Sequence, residues 1–190
     1  MKPDYDIIAF SDAATWRKWL DDNHAKVDGV WVRLYKKASG VPTASYAELL
    51  DDALCYGWID GQVKGYDELS FLQKFTPRRT RSMWSKRNIE HIQRLTDAGL
   101  MTQAGIAEVE RAKADGRWDA AYDAPSQMTI PLEFLTELKK HPTAEKFFAT
   151  LNKSNTYAIA WRLQTAKTDE TRKRRQDKII ATLNAEQKLT

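Results

Sequence analysis

Every strand-like run in this chain lies before Pro77, and every apolar stretch after Ser85 repeats at helical spacing. That asymmetry limits the fold more than any other feature of the sequence. Strands followed by a long succession of helices do not supply the alternating crossovers of a doubly wound parallel sheet. They indicate an α+β protein. The expected architecture is a small antiparallel sheet with flanking helices in the N-terminal half and an all-helical C-terminal half. Residues 1–85 would form an α+β domain, and residues 86–190 a helical domain packed on it.

The local signals are specific. Ser11 is placed to cap a first helix that carries Trp16, Trp19 and Leu20 on one side. Val30 to Tyr35 is a strand rich in β-branched and aromatic residues. Ser45-Tyr46-Ala47-Glu48 is a capping box, and Gly57 is the stop of the helix it starts. Trp58 to Val63 and Ser70 to Phe75 read as strands around a turn at Gly65 and Asp67. Thr76-Pro77 ends the second, because proline cannot continue a central ladder. Ser85 and Thr102 cap two helices that stop at Gly99 and Gly116, and Asp119 to Ser126 reads as a loop. Pro131 suits the first turn of a helix, and Thr143, Ser154 and Thr168 begin the last three.

Several function classes are excluded at this level. Apolar residues make up 42% of the 190 residues, with seven Trp, so a packed core is expected and disorder is not. Cys55 is the single cysteine and reads as a small buried hydrophobe without a cation nearby to activate it. His24, His91 and His141 lack metal-ligand spacing, and His91 reads as a surface residue. Gly57, Gly61 and Gly65 lie four apart, which fits neither a phosphate loop nor a dinucleotide fingerprint. No metal and no cofactor are expected. Met1 to Ser11 is acidic and lacks the basic and apolar regions of a signal peptide, and no run is long enough to span a membrane. A cytoplasmic location without membrane insertion is expected; the oligomeric state is open.

The densest chemical signal runs from Lys74 to Arg87. It holds Lys74, Arg78, Arg79, Arg81, Lys86 and Arg87 without one acidic residue, interleaved with Thr76, Thr80, Ser82 and Ser85. Arginine offers forked donors to phosphate or carboxylate, and the N-terminus of a helix starting at Ser85 adds free N–H groups. Trp84 could stack on a ring. Upstream, Asp60 sits in Gly57-Trp58-Ile59-Asp60-Gly61, placed to pair with Arg78, Arg79 or Arg81 across adjacent strands. The expected ligand-binding set is therefore Trp58, Asp60, Thr76, Arg78, Arg79, Arg81, Ser82, Trp84 and Ser85. Asp60 is also the one candidate acid–base residue. A second basic run, Arg172-Lys173-Arg174-Arg175, shares its helix with Asp169, Glu170 and Asp177 and reads as a solvated face.

The same residues carry a resemblance. Ala53-Leu54-Cys55-Tyr56-Gly57-Trp58-Ile59-Asp60-Gly61 resembles an element of the YdeI/OmpD-associated, bacteriocin-protection (OmdA) family, with Tyr56 where that element has Phe. The likeness continues through Phe75-Thr76-Pro77-Arg78-Arg79, Ser82 to Asn88 and Ala112 to Trp118, and closes at Ala166 to Arg172. It implies a bacterial protein linked to envelope stress, without catalytic residues that carry over. The N-terminal half also resembles, more faintly, frataxin-like iron chaperones. Asp51-Asp52 and Asp67-Glu68 are only pairs, so iron binding does not transfer.

Three functions compete. The first is a non-enzymatic cytoplasmic stress or bacteriocin-protection protein that binds an anionic small molecule, or an acidic protein surface, through Trp58 to Ser85. The second is an enzyme acting on a small phosphorylated or carboxylated substrate in the same pocket. The third is nucleic-acid binding through the two basic runs.

Overall fold

The structure, a computed structural model, describes residues 5–123 and 127–189. It divides into two compact units, Met1–Ala121 and Tyr122–Thr190. The expected boundary at residue 85 falls inside the first unit, because Ile92, Leu95, Val109 and Ala112 from the following helices complete the same core.

The first unit contains β1 (Ile7–Ala9), α1 (Ala13–Asn23), β2 (Val30–Tyr35), a short 3-10 turn at Lys37–Ser39, α2 (Tyr46–Cys55), β3 (Trp58–Asp67), β4 (Ser70–Pro77), α3 (Lys86–Asp97) and α4 (Gln103–Ala114). The fold is α+β. The strands order β1-β2-β4-β3. β2 pairs antiparallel with β4, and β4 with β3, as expected of a hairpin sheet; β1 adds a parallel edge.

Alternation along β2 sets the sheet's two faces. Val30, Val32 and Leu34 are buried, and Trp31, Arg33 and Tyr35 between them are partly exposed. On the buried face an aromatic cluster joins α1 to the sheet. Trp16 stacks on Trp19 at 5.3 Å and lies 5.4 Å from Phe75, while Trp19 meets Trp58 edge-on at 5.8 Å. Such pairs add about 0.5–1.5 kcal/mol each beyond their burial. β3 is an edge strand with a bulge after Asp60, where the buried Gln73 side chain donates to the Gly61 carbonyl at 3.0 Å.

The second unit holds α5 (Leu132–Leu138), α6 (Pro142–Phe148), α7 (Lys153–Gln164) and α8 (Asp169–Asn184). Its own core comprises Phe134, Leu138, Ala144, Ile159, Leu163, Ile179, Ile180 and Leu183.

The caps at Ser45, Ser85, Thr102 and Thr168 form as the sequence indicates. Others move by a residue or two. Asp12, not Ser11, caps α1, because its carboxylate reaches the Thr15 N–H at 2.8 Å. Pro131 precedes α5 as its N-cap, Pro142 rather than Thr143 opens α6, and Asn152 rather than Ser154 caps α7. β4 runs on through Pro77, which pairs with Trp58 at the ladder's end. β1 was not anticipated; its three residues are too short for a period to show. Part of the expected loop at Asp119 to Ser126 lies outside the described residues.

Gly105 fixes how closely α4 approaches α2. A Cβ there would overlap the Cys55 carbonyl oxygen. Gly105→Ala is expected to destabilise the protein by about 1–3 kcal/mol, the usual cost of overpacking, as read from urea unfolding midpoints.

Candidate functional site

The segment from Trp58 to Ser85 is the β3–β4 hairpin and the loop that leads into α3. Gly57, with φ of 74°, turns the chain from α2 into β3, and its carbonyl accepts the Arg78 backbone N–H at 3.0 Å. The end of β4 is thereby tied to the start of β3. Arg78 then turns inward and is only 5% exposed. Its guanidinium lies 3.5 Å from the centre of the Trp84 ring, and Nη1 donates to the Met83 carbonyl at 3.3 Å. Trp84, 1% exposed, packs in turn against Trp118 at 5.0 Å. A cation–π contact out of water is worth about 2 kcal/mol or more, so this stack organises the loop.

The next residues are held by hydroxyl groups. The Arg79 N–H donates to Ser82 Oγ at 3.0 Å, and the Ser82 N–H returns to the Arg79 carbonyl at 2.8 Å. Arg117 Nη1 donates to the Ser82 carbonyl at 3.0 Å. Ser85 Oγ accepts the Asn88 N–H at 3.1 Å as the cap of α3.

The nine expected ligand-binding residues consequently do not form one site. Thr76, Arg78 and Arg79 converge, with Pro77, on a cleft of about 230 Å³. Tyr5 and Asp28 complete its wall. Trp58 and Trp84 are core residues, correcting their expected ligand role. Trp58 is 1% exposed and its Nε1–H donates to the His24 carbonyl at 3.1 Å. Ser82 and Ser85 are engaged in the loop and the cap. Arg81 is exposed and is not among the residues lining the cleft.

The expected pair between Asp60 and an arginine is also corrected. Register sets Asp60 opposite Phe75, on the core side of the hairpin, where the Tyr46 hydroxyl donates to Asp60 Oδ2 at 2.8 Å. Burial first, then the Asp60 charge and hydrogen bond, raise the Tyr46 phenol well above its ordinary value, with Arg87 opposing.

Tyr5 and Asp28 were invisible to sequence reasoning because they come from distant loops. One signal was available in Gly29. A Cβ there would stand 2.9 Å from Thr76 Cγ2 and 2.9 Å from Tyr5 Cζ, so glycine lets the cleft's two walls meet.

Two further polar clusters are structural in form. Asp51 binds Arg94 through both oxygens at 2.6 and 2.7 Å and also meets His91 Nδ1 at 2.8 Å, joining α2 to α3. Arg17 bridges Asp52 at 2.7 Å and the Leu100 carbonyl at 2.9 Å. Arg17 is the cation near Cys55 that the sequence did not reveal. Burial nevertheless outweighs it and pushes the Cys55 thiol above its ordinary value. Burial and a hydrogen bond to Asp21 likewise push the Tyr56 phenol up to about 12. Among the described residues no group of His, Cys, Asp and Glu is arranged to hold a metal ion, and no helix is long and apolar enough to cross a membrane.

The chain has two units, and the first, an α+β unit with a mixed sheet, carries the candidate cleft. The chain belongs to the family described as a domain of unknown function (DUF8412), whose family model matches residues 8–108. Residues 127–186 match the OmdA family model, described as "Bacteriocin-protection, YdeI or OmpD-Associated". The resemblance to that second family is thus shown by the helical unit, whereas the Ala53–Gly61 element lies within the first match. The comparisons with curated proteins and with solved structures returned no match.

Two substitutions separate structure from site. Trp84→Ala is expected to cost about 3–5 kcal/mol, as large aromatic truncations in cores do. Arg79→Ala, at an exposed position, should change stability by less than about 0.5 kcal/mol. Denaturant unfolding of both variants checks the contrast. Cys55 should resist a thiol reagent such as DTNB at pH 8 in the native protein and react in full once urea unfolds it.

Proposed function

We propose that this protein is a non-enzymatic, cytoplasmic protection-type protein that binds an anionic ligand in the Thr76–Arg79 cleft. The observation that carries the proposal is the convergence of Thr76, Arg78 and Arg79 on one opening of about 230 Å³. Arg78 lines the cleft, but its guanidinium is buried against Trp84 and donates to the Met83 carbonyl, so direct contact with a ligand falls to Arg79 and Thr76. Arg79 supplies exposed forked donors, and Thr76 a hydroxyl. Asp28 on the far wall narrows the choice, because it disfavours a large polyanion inside the cleft and suits a single phosphate or carboxylate group. The description of the family matched by residues 127–186 supports the protection role.

The enzyme reading needed Asp60 as an acid–base group beside the arginines. Asp60 faces Tyr46 and does not line the cleft, so no observation favours that reading.

Isothermal titration with inorganic phosphate and with citrate tests the proposal. Saturable binding is expected in the native protein. Arg79→Ala should weaken it by about 10- to 100-fold, the usual worth of a charge-assisted hydrogen bond. Absence of binding of either anion, or binding unchanged in Arg79→Ala, would refute the proposal.

A further inference from the structure

The outward face of the sheet carries a pattern that the cleft does not use. Trp31, Arg33 and Tyr35 point away from the core along β2. Register aligns Trp31 with Lys74, and Arg33 with Leu72, which in turn faces Lys64. The side chains interleave. Lys64 Nζ sits 4.3 Å from the Trp31 ring centre, and Lys74 Nζ lies 5.8 Å from the same ring and 5.6 Å from that of Tyr5. The Arg33 guanidinium lies 4.6 Å from the Tyr35 ring and 4.8 Å from the Tyr66 ring. Four aromatic rings and three cations therefore alternate over one sheet face. Asp67 is the acid that meets them, 2.6 Å from Arg33. Tyr66 remains 50% exposed and Lys64 is exposed. Through Tyr5 the strip adjoins the Thr76–Arg79 cleft.

We propose that this face binds single-stranded nucleic acid, with bases stacked on Tyr66, Tyr35 and Trp31 and phosphates held by Lys64, Lys74 and Arg33. The inference extends the anion reading of the adjoining cleft and rests on it for the sign of the ligand's charge. The combination of groups decides the ligand's class. A nucleotide offers a flat ring and an anion in every unit, and this face sets rings and cations 4.3–5.8 Å apart. An acidic peptide supplies the anions but no faces to stack. A duplex hides its bases, so it can use the cations but not the rings. Trp31 and Tyr35 are four residues apart on one strand, about 13 Å at strand rise. That spacing leaves room for separate bases on separate rings. Sequence-tolerant binding is expected, since every base has a π-face.

The test is fluorescence anisotropy with 5′-labelled single-stranded oligonucleotides of twelve residues, DNA and RNA, and with the matching duplexes. Titrations at 50 and 200 mM NaCl compare the native protein with Tyr66→Ala, Lys64→Ala and Arg79→Ala. Single strands should bind more tightly than duplexes. Tyr66→Ala should weaken single-strand binding by about 5- to 100-fold, the worth of one stacked base, and leave the far-UV spectrum unchanged. Lys64→Ala should weaken it and lower the slope of log affinity against log salt by about 0.7, the loss of one phosphate contact on a single strand. Duplex binding equal to single-strand binding, or an affinity unmoved by Tyr66→Ala, would overturn the inference. So would poly-glutamate that displaces the oligonucleotide equally from native protein and Tyr66→Ala. Phosphate bound in the cleft with no affinity for any oligonucleotide overturns this inference and leaves the cleft reading standing. A Tyr66-dependent oligonucleotide affinity without phosphate binding does the reverse.

Discussion

The end of α2 is the joint on which the first unit depends. The Cys55 carbonyl accepts both the Thr102 N–H, at 3.2 Å, and the Thr102 hydroxyl, at 2.7 Å. Those bonds bring the N-terminus of α4 so close that Gly105 has no room for a side chain. Two residues later Gly57 reverses the backbone with a positive φ, and a Cβ on it would meet Glu108 Cγ of α4 at 2.8 Å. Its carbonyl then receives the Arg78 N–H. One short corner thus fixes α2, β3, the end of β4 and α4 against each other. Any residue with a side chain at Gly57 or Gly105 would have to push two elements apart.

That joint reaches the basic run through Arg78, whose N–H donates to the Gly57 carbonyl. Read along the sequence, Lys74 to Arg87 is one patch of six cations. In the structure it is distributed over different environments. Lys74 lies on the outward sheet face over Trp31 and Tyr5. Arg78, drawn in by the Gly57 carbonyl, stacks on Trp84 inside the protein. Arg79 and Arg81 remain in solvent. Arg87 stands near enough to Tyr46 to act on its phenol. Strand alternation and a helix cap produce this dispersal, and a linear count of charge cannot reveal it. The arginine with most influence on the fold is the one least available to a partner.

The legible parts of the fold were those governed by local rules. The capping box at Ser45, the caps at Ser85, Thr102 and Thr168, and the Gly57 stop are short-range geometry, and the α+β class followed from where strand patterns cease. What failed was tertiary. Trp84 looked like a stacking surface, and Trp58 like a member of the binding set, because tryptophan serves both cores and ligands and only packing separates the two uses. Asp60 went to Tyr46 because the bulge after it and its pairing with Phe75 set its direction. Tyr5, Asp28 and Arg17 act at sites tens of residues away in sequence, with no periodicity to announce them. Of the expected set, Thr76, Arg78 and Arg79 line the candidate cleft; Tyr5 and Asp28, which also line it, were not read from the sequence.

The outward sheet face poses a physical problem that its cations answer. Trp31 and Tyr35 on β2 and Tyr66 on the edge strand β3 stand on a face away from the core, where exposed aromatic surface invites association with another sheet. Lys64 and Lys74 set their ammonium groups 4.3 and 5.8 Å from the Trp31 ring centre, and the Arg33 guanidinium lies near both Tyr35 and Tyr66. The cationic heads cover the ring faces and would repel a second copy of the same face. Shielding alone would have been achieved more simply by polar residues at the outward positions of β2. On the proposed reading, a ligand that drew Lys64, Lys74 and Arg33 toward its own anions would uncover the rings as it bound, and charge recognition and stacking would become successive parts of one event.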